Sequence, residues 1–141
     1  MAGPTPVAPA AEAGPSPAAL DAARARLVEV DRILVQRGVL AADAPRLHAA
    51  RRALQERLAR GEAPVAEIDA LVAQAQAFTI DRAFITAKLE RLNAAMAQRD
   101  LAPEAQQRVR RHGQEALSHT LTGRYDQANR ELNAIARLLE R

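Results

Sequence analysis

Histidine side chains can bind metal ions and can exchange protons near neutral pH, so they are candidate functional residues. The chain has three histidines, at positions 48, 112 and 119. His112 and His119 are two helical turns apart, which is too far for joint binding of one ion. No HExxH pattern surrounds them, and the absence of cysteine excludes disulfides, thiol catalysis and thiolate metal sites. The sequence therefore predicts no metal ion and no cofactor.

Other catalytic patterns are missing as well. There is no GxSxG turn and no glycine-rich phosphate loop, and serine, histidine and aspartate do not follow one another as in a catalytic triad. Aromatic residues make up 2% of the chain, so neither a base-stacking platform nor an aromatic ligand pocket is expected. We predict that the protein is not an enzyme and has no small-molecule substrate.

One short segment nevertheless offers a reactive histidine. The run SHTLTG, from Ser118 to Gly123, resembles the His-x-Leu-Lys-Gly signature of histidine phosphotransfer domains. The resemblance implies a helical bundle in which His119 accepts the phosphoryl group and Gly123 leaves room for its donor. Thr122 stands at the lysine of that family, so the charge that holds the phosphoryl oxygens is missing. Phosphotransfer at His119 is therefore the alternative function.

Two further resemblances concern architecture. The run GRYDQA, from Gly123 to Ala128, resembles the turn and second-helix start of tetratricopeptide repeats, which implies a tight helical hairpin over 112–139. A broader resemblance over 85–139 is carried by LAPE, from Leu101 to Glu104, and by the turn that leads to Ala128 and Leu132. It is to the helical domain shared by steroid receptor RNA activator protein and the outer-coat scaffold of COPII vesicles. That domain serves protein assembly.

The N-terminal segment differs in composition from the rest of the chain. Residues 1–18 hold five of the eight prolines, mixed with alanine and glycine, and such a segment cannot bury enough surface to offset its ordering entropy. We predict a disordered leader over 1–18 and one helical domain over 19–141.

Apolar residues spaced by three and four then define about five helices. The first runs from Leu20 to Leu34 and stops at Gly38, and the second has Asp43 as its N-cap and ends at Gly61. Two more helices are predicted after Pro103, on either side of Gly123. The predicted fold class is all-α, a helical bundle or a short stack of helical hairpins.

The longest apolar stripe begins after Pro64 and continues to Met96. One long central helix is the simplest interpretation, while Thr79, Ile80 and Asp81 offer a point where a new helix could begin. The stripe is more apolar than a helix with two neighbours needs, so we predict that another chain covers part of it. The candidate interface consists of Phe78, Arg82, Ile85, Leu89, Leu92 and Met96. Arg82 would lie at its edge.

The distribution of charged residues suggests a second alternative function, which is nucleic-acid binding. The net charge is +3, and the basic excess falls on the first two predicted helices, where Arg46, Arg51, Arg52 and Arg57 could contact nucleic acid. Lys88 is the only lysine among 20 basic residues, and this use of arginine is typical of a GC-rich, bacterial genome. Nucleic-acid binding is expected to be weak at most.

These observations favour a non-enzymatic protein-interaction or scaffold module. Its partner would be another protein or a second copy of the chain. No apolar run is long enough to span a membrane, and the first residues lack the features of a secretory signal. We therefore predict a cytoplasmic location.

Overall fold

The computed structural model describes residues 14–140, which form six α-helices and no strand. The helices are α1 (Pro17–Gln36), α2 (Pro45–Ala59), α3 (Val65–Gln76), α4 (Arg82–Ala97), α5 (Pro103–Leu121) and α6 (Tyr125–Leu139). A 3-10 turn over Ala41–Asp43 lies between the first two. The predicted all-α fold is confirmed. No helix within 14–140 combines the length and the apolar character that a membrane crossing requires.

Helix α1 begins earlier than predicted. Its first residue is Pro17, and the hydroxyl of Ser16 accepts a hydrogen bond from the Ala19 amide at 3.1 Å. This N-cap satisfies one of the free amides of the first turn, and proline suits that turn because it has no amide to satisfy. The predicted leader over 1–18 therefore extends too far at its C-terminal end. Its residues 1–13 lie outside the described part of the chain.

The chain divides into two compact units, each described by itself. Unit 1 contains residues 14–34 and 44–77, and unit 2 contains residues 35–43 and 78–140. The predicted single domain over 19–141 stays a prediction.

Unit 1 is built from most of α1 with α2 and α3. Each helix buries one apolar face, and α2 packs against α3. The buried side chains of α2 and α3 are Leu47, Leu54, Leu58, Ile68, Leu71, Val72 and Ala75. Ion pairs also link α1 to its neighbours in this unit. Arg51 contacts both carboxylate oxygens of Asp31 at 2.6 and 2.7 Å, and Arg26 contacts Asp69 at 3.0 Å.

Unit 2 is centred on α6. Helix α5 packs along it as an antiparallel hairpin partner, and α4 packs against it too. The core consists of Ile85, Leu92, Ala116, Ala128, Leu132, Ile135 and Leu139. The three-and-four spacing of the last helix was predicted, and its inward face is confirmed.

The prediction of one long central helix is wrong. Helix α3 ends at Gln76 and α4 begins at Arg82, so the stripe is divided between two helices. Asp81 has an extended backbone, with φ −121° and ψ −174°, and its Oδ1 accepts from the Phe84 amide at 2.9 Å. This is N-cap geometry, and it makes Asp81 a helix start rather than a helix interior. The alternative of a new start at this point is the one that the structure adopts.

Candidate functional site

Unit 2 contains a buried cluster of polar side chains around Lys88 of α4, which is only 1% exposed. Its Nζ donates to Asp43 Oδ2 and to Asn129 Oδ1, both at 2.7 Å, and to Asn133 Oδ1 at 2.5 Å. We call these four residues the Lys88 cluster. An ammonium has three N–H donors, and the cluster supplies three acceptors, so every donor is used.

This position requires lysine rather than arginine. A guanidinium is planar and presents five donors in a fixed fork, whereas the cluster surrounds one compact ammonium with three oxygens. The Phe84 ring lies 5.5 Å from Nζ, within the range of a cation–π contact. Burial lowers the pKa of Lys88, and the hydrogen bond and charge of Asp43 oppose that shift.

Asp43 reaches the cluster from the 3-10 turn, and its side chain is completely buried. Its Oδ2 also accepts from the Leu40 amide at 2.8 Å, and its Oδ1 accepts from the guanidinium of Arg91. The predicted role of Asp43 as the N-cap of the second helix is wrong. The N-cap of α2 is Ala44, whose methyl group offers no hydrogen bond. The Asp43 carboxylate bonds to Lys88 and Arg91 instead.

The two asparagines of α6 hold a glycine as well as the lysine. The Nδ2 atoms of Asn129 and Asn133 donate to the Gly38 carbonyl at 2.8 and 2.9 Å. Gly38 has φ +69°, and a Cβ there would lie 3.1 and 3.2 Å from those same nitrogens. Glycine is therefore required both by its backbone conformation and by the close approach of α6.

The Lys88 cluster fastens residues 35–43 to α4 and α6. Each oxygen around Nζ accepts from it, and both amide nitrogens are used on Gly38. Among the described residues, no buried side-chain nitrogen or oxygen lacks a hydrogen-bond partner. A fully satisfied network rigidifies the fold around it. The arrangement holds the ammonium in place rather than presenting it to a ligand.

A cleft of about 520 Å³ lies next to this cluster, between residues 35–38 and α6. It is lined by Val35, Gln36, Arg37, Gly38, Asp126, Arg130, Asn133 and Arg137. We call it the α6 cleft. Asn133 belongs both to the lining of the cleft and to the Lys88 cluster. Gly38 also lines the cleft, and its carbonyl accepts from Asn129 and Asn133, so these contacts fix the walls of the cleft.

The α6 side of the cleft carries a charge pattern. Asp126, Arg130, Asn133 and Arg137 are spaced by four, three and four residues, so they share one face of the helix. Asp126, Arg130 and Arg137 are exposed, and none of their side chains forms a hydrogen bond or ion pair within residues 14–140. Arg37 adds a third positive charge from the opposite side. The cleft therefore combines three cations and one anion.

Most of the apolar residues predicted as an interface are interior residues of unit 2. Ile85 and Leu92 are 3% and 7% exposed and belong to its core. Leu89 and Met96 are half-buried and pack against the same core. Binding a partner along this stripe would require the core to open.

The other two predicted interface residues flank the start of α4. Phe78 lies in the connection before the helix, half-buried, with its ring edge-on to Phe84 at a centroid distance of 5.6 Å. Arg82 is the first residue of α4 and is exposed. It therefore needs no buried partner.

The structure places His119 in the last turn of α5, half-buried. The helix ends at Leu121, and the His119 carbonyl accepts from the Arg124 amide at 2.8 Å as the chain turns. Thr122 directs its hydroxyl back to the carbonyls of Ser118 and His119. The residue at the phosphotransfer lysine position thus bonds to the helix end.

His112 has an acidic partner. Its Nδ1 lies 2.6 Å from Glu131 Oε2, across the α5–α6 hairpin. Within residues 14–140 no three histidine, aspartate or glutamate side chains are grouped as a metal site would need.

Two of the arginines considered for nucleic acid are engaged within unit 1. Arg51 forms the forked pair with Asp31, and Arg57 contacts Glu62 at 3.1 Å and Glu67 at 3.5 Å. Arg52 Nη2 lies 3.2 Å from a ring nitrogen of His48. Arg46 is exposed on the first turn of α2. Acidic neighbours therefore reduce the positive field of this surface.

No protein-family model, no curated protein and no solved structure matches this chain.

Sequence reasoning missed the Lys88 cluster and the α6 cleft. One signal was available for the cluster, since the chain uses arginine everywhere except at position 88. The asparagines at 129 and 133 also interrupt an otherwise apolar helix face, one turn apart. Their partner Gly38 is 91 and 95 residues away in the chain, so only the fold brings the set together.

Proposed function

We propose that this chain is a non-enzymatic helical module that binds another protein, and that the α6 cleft of unit 2 is its binding surface. The observation that carries the proposal is the pair Arg130 and Arg137, exposed in a cleft and without a partner within residues 14–140. Val35, which is 77% exposed, adds an apolar contact at the same cleft. Arginine beside exposed apolar surface is typical of protein interfaces.

The Lys88 cluster supports this function indirectly. A binding surface gains affinity when its parts are held in place before the partner arrives. Here Gly38 and Asn133 line the cleft and are held by three hydrogen bonds. Asn129 and Asn133 donate to the Gly38 carbonyl, and Lys88 donates to Asn133 Oδ1. The polar interior of unit 2 thus acts on the surface by fixing its shape.

The alternatives receive less support. Phosphotransfer at His119 lacks the family's lysine, and the helix that should continue past the histidine ends two residues later. Nucleic-acid binding by the first two helices relies on arginines of which Arg51 and Arg57 contact carboxylates. We also propose a cytoplasmic location and a partner that is either another protein or a second copy.

Affinity capture with matched variants tests the proposal. The full chain, the double variant Arg130→Gln/Arg137→Gln and the control Arg108→Gln would be immobilised and exposed to an extract of the source organism. Arg108 is an exposed arginine of α5 outside the cleft. We expect at least one protein that the wild type and the control retain and that the double variant loses.

Equal retention by all three proteins, or no selective retention by any, contradicts the proposed surface. Acid-labile phosphate on His119 after incubation with a phosphorylated receiver domain, absent in His119→Gln, would favour the alternative function instead.

A further inference from the structure

We propose that the α6 cleft binds a partner segment that carries two carboxylates about two helical turns apart and one cation beyond them. This inference rests on the proposed function and names the chemistry of its partner. The ligand class is a peptide segment with a fixed order of charges, rather than a free anion.

The first step is the order of charges on α6. Asp126, Arg130 and Arg137 lie on one face in the order negative, positive, positive. At about 1.5 Å per residue, Arg130 and Arg137 are about 10 Å apart along the helix axis, and Asp126 is about 6 Å before Arg130. A complementary segment presents two acidic residues about 10 Å apart, opposite Arg130 and Arg137. It presents a basic residue about 6 Å beyond the first of these acids, opposite Asp126.

The second step is the role of Asp126. A site built for a free phosphate or carboxylate gains from cations alone, whereas a carboxylate in the lining repels such a ligand. The same carboxylate attracts a segment that presents a lysine or arginine in register, and it rejects one that presents a third acid. Asp126 therefore sets the register and direction of the partner, as opposite charges do between paired helices.

The third step is the remainder of the lining. Val35 is exposed at the cleft, and Arg37 adds positive charge from the side opposite α6. An isolated ion uses neither the apolar contact nor the length of the cleft. A peptide segment uses both, since its backbone spans the distance between the charges and an apolar side chain can contact Val35.

Anisotropy measurements with a labelled peptide test this inference. The probe is an alanine-rich, helix-forming peptide with two glutamates seven positions apart and a lysine four positions beyond one of them. The control peptide has the same composition with the charges reordered. We expect the probe to bind the full chain about tenfold more tightly than the control, with a salt-dependent affinity, since two exposed ion pairs contribute roughly 1 kcal/mol or somewhat more together.

Variants locate the binding. Arg130→Gln/Arg137→Gln should remove the preference for the probe, and Arg108→Gln should leave it unchanged. Arg137→Glu should abolish probe binding, and a peptide with lysine in place of the matching glutamate should restore it. Asp126→Asn should weaken binding of the probe peptide and should make inorganic phosphate a stronger competitor for the cleft. Restoration by charge exchange is a result that a merely misfolded variant would not give.

Equal binding of the two peptides, or probe binding that is unchanged in the double variant, overturns the inference. Self-association of the wild type that Arg137→Glu abolishes also overturns it, because the occupant is then a second copy. If affinity capture depends on Arg130 and Arg137 while the peptides fail to bind, the proposed function stands and only this inference is lost. Failure of both experiments removes both.

Discussion

The ammonium of Lys88 and the carboxylate of Asp43 are hydrogen-bonded at 2.7 Å, although 45 residues separate them in the chain. Both side chains are buried. Because a buried charge without its partner is strongly destabilising, we expect Lys88→Met to lower the free energy of unfolding by about 3–5 kcal/mol. The double variant Asp43→Leu/Lys88→Met should lose less than the sum of the two single variants. Urea unfolding of the four proteins measures the coupling, and additive losses would show that the two groups act independently.

The requirement for lysine can be tested separately from the requirement for charge. Lys88→Arg keeps the positive charge but replaces three compact donors with a planar fork. We expect it to lower the free energy of unfolding by roughly 2 kcal/mol, as expected for polar groups left unpaired in the interior. The matched control is Arg108→Lys, an exchange at an exposed position, which should change stability by less than about 0.5 kcal/mol. A stability of Lys88→Arg equal to wild type would contradict the three-acceptor explanation.

Titration of Lys88 should make the free energy of unfolding depend on pH. Its pKa in the folded protein is below the ordinary value of 10.5 because burial disfavours the charged form. As pH rises from the lowered pKa towards 10.5, the unfolded chain holds more protons at this group than the folded chain. Stability of the wild type should therefore rise in that window relative to Lys88→Met. Urea midpoints from about pH 8 to about pH 10 measure this, and a relative fall would mean that Asp43 dominates and raises the pKa.

Two glycines with positive φ provide a matched pair. Gly38→Ala introduces backbone strain and also a Cβ 3.1–3.2 Å from the two asparagine nitrogens, whereas Gly61→Ala, at φ +86°, meets no atom within 4 Å. Strain at positive φ costs about 1 kcal/mol at each site. We expect Gly38→Ala to be the more destabilising by at least about 1 kcal/mol, because the Asn129 and Asn133 bonds must shift. Thermal unfolding of both variants tests the difference, and equal losses would argue against the close approach.

The N-cap of α4 can be examined with one residue. Asp81→Ala removes the acceptor of the Phe84 amide and should lower the free energy of unfolding by about 1 kcal/mol. Asp81→Asn keeps an acceptor and should recover most of the loss. Chemical denaturation compares the three proteins. If Asp81→Asn were as unstable as Asp81→Ala, the loss would come from the charge rather than from the cap.

The helices were predictable because each buries a periodic face. Ala128, Leu132, Ile135 and Leu139 show three-and-four spacing in the sequence and the same face in the core. The division between α3 and α4 is harder to predict, since apolar residues continue across it and only the Asp81 cap marks a new start. Local spacing therefore identified the faces more securely than the helix ends.

The candidate sites were less accessible to sequence reasoning. Asp43 has the local features of a helix cap, and its buried contact with Lys88 depends on a residue 45 positions away. Arg130 and Arg137 look like ordinary solvated positions until residues 35–38 are placed opposite them. Long-range placement, rather than residue type, creates the cleft.

Unit 2 is interrupted in the chain, because its residues 35–43 come before a long segment that belongs to unit 1. The hairpin of α5 and α6 consequently cannot be moved into another protein without residues 35–43. A graft that begins at residue 78 would carry Lys88, Asn129 and Asn133 without Gly38 and Asp43. The ammonium would lose its carboxylate partner, and the two amide nitrogens would lose the carbonyl to which they donate. A transfer of unit 2 to another protein therefore has to move residues from 35 onward together, and with them residues 44–77 of unit 1.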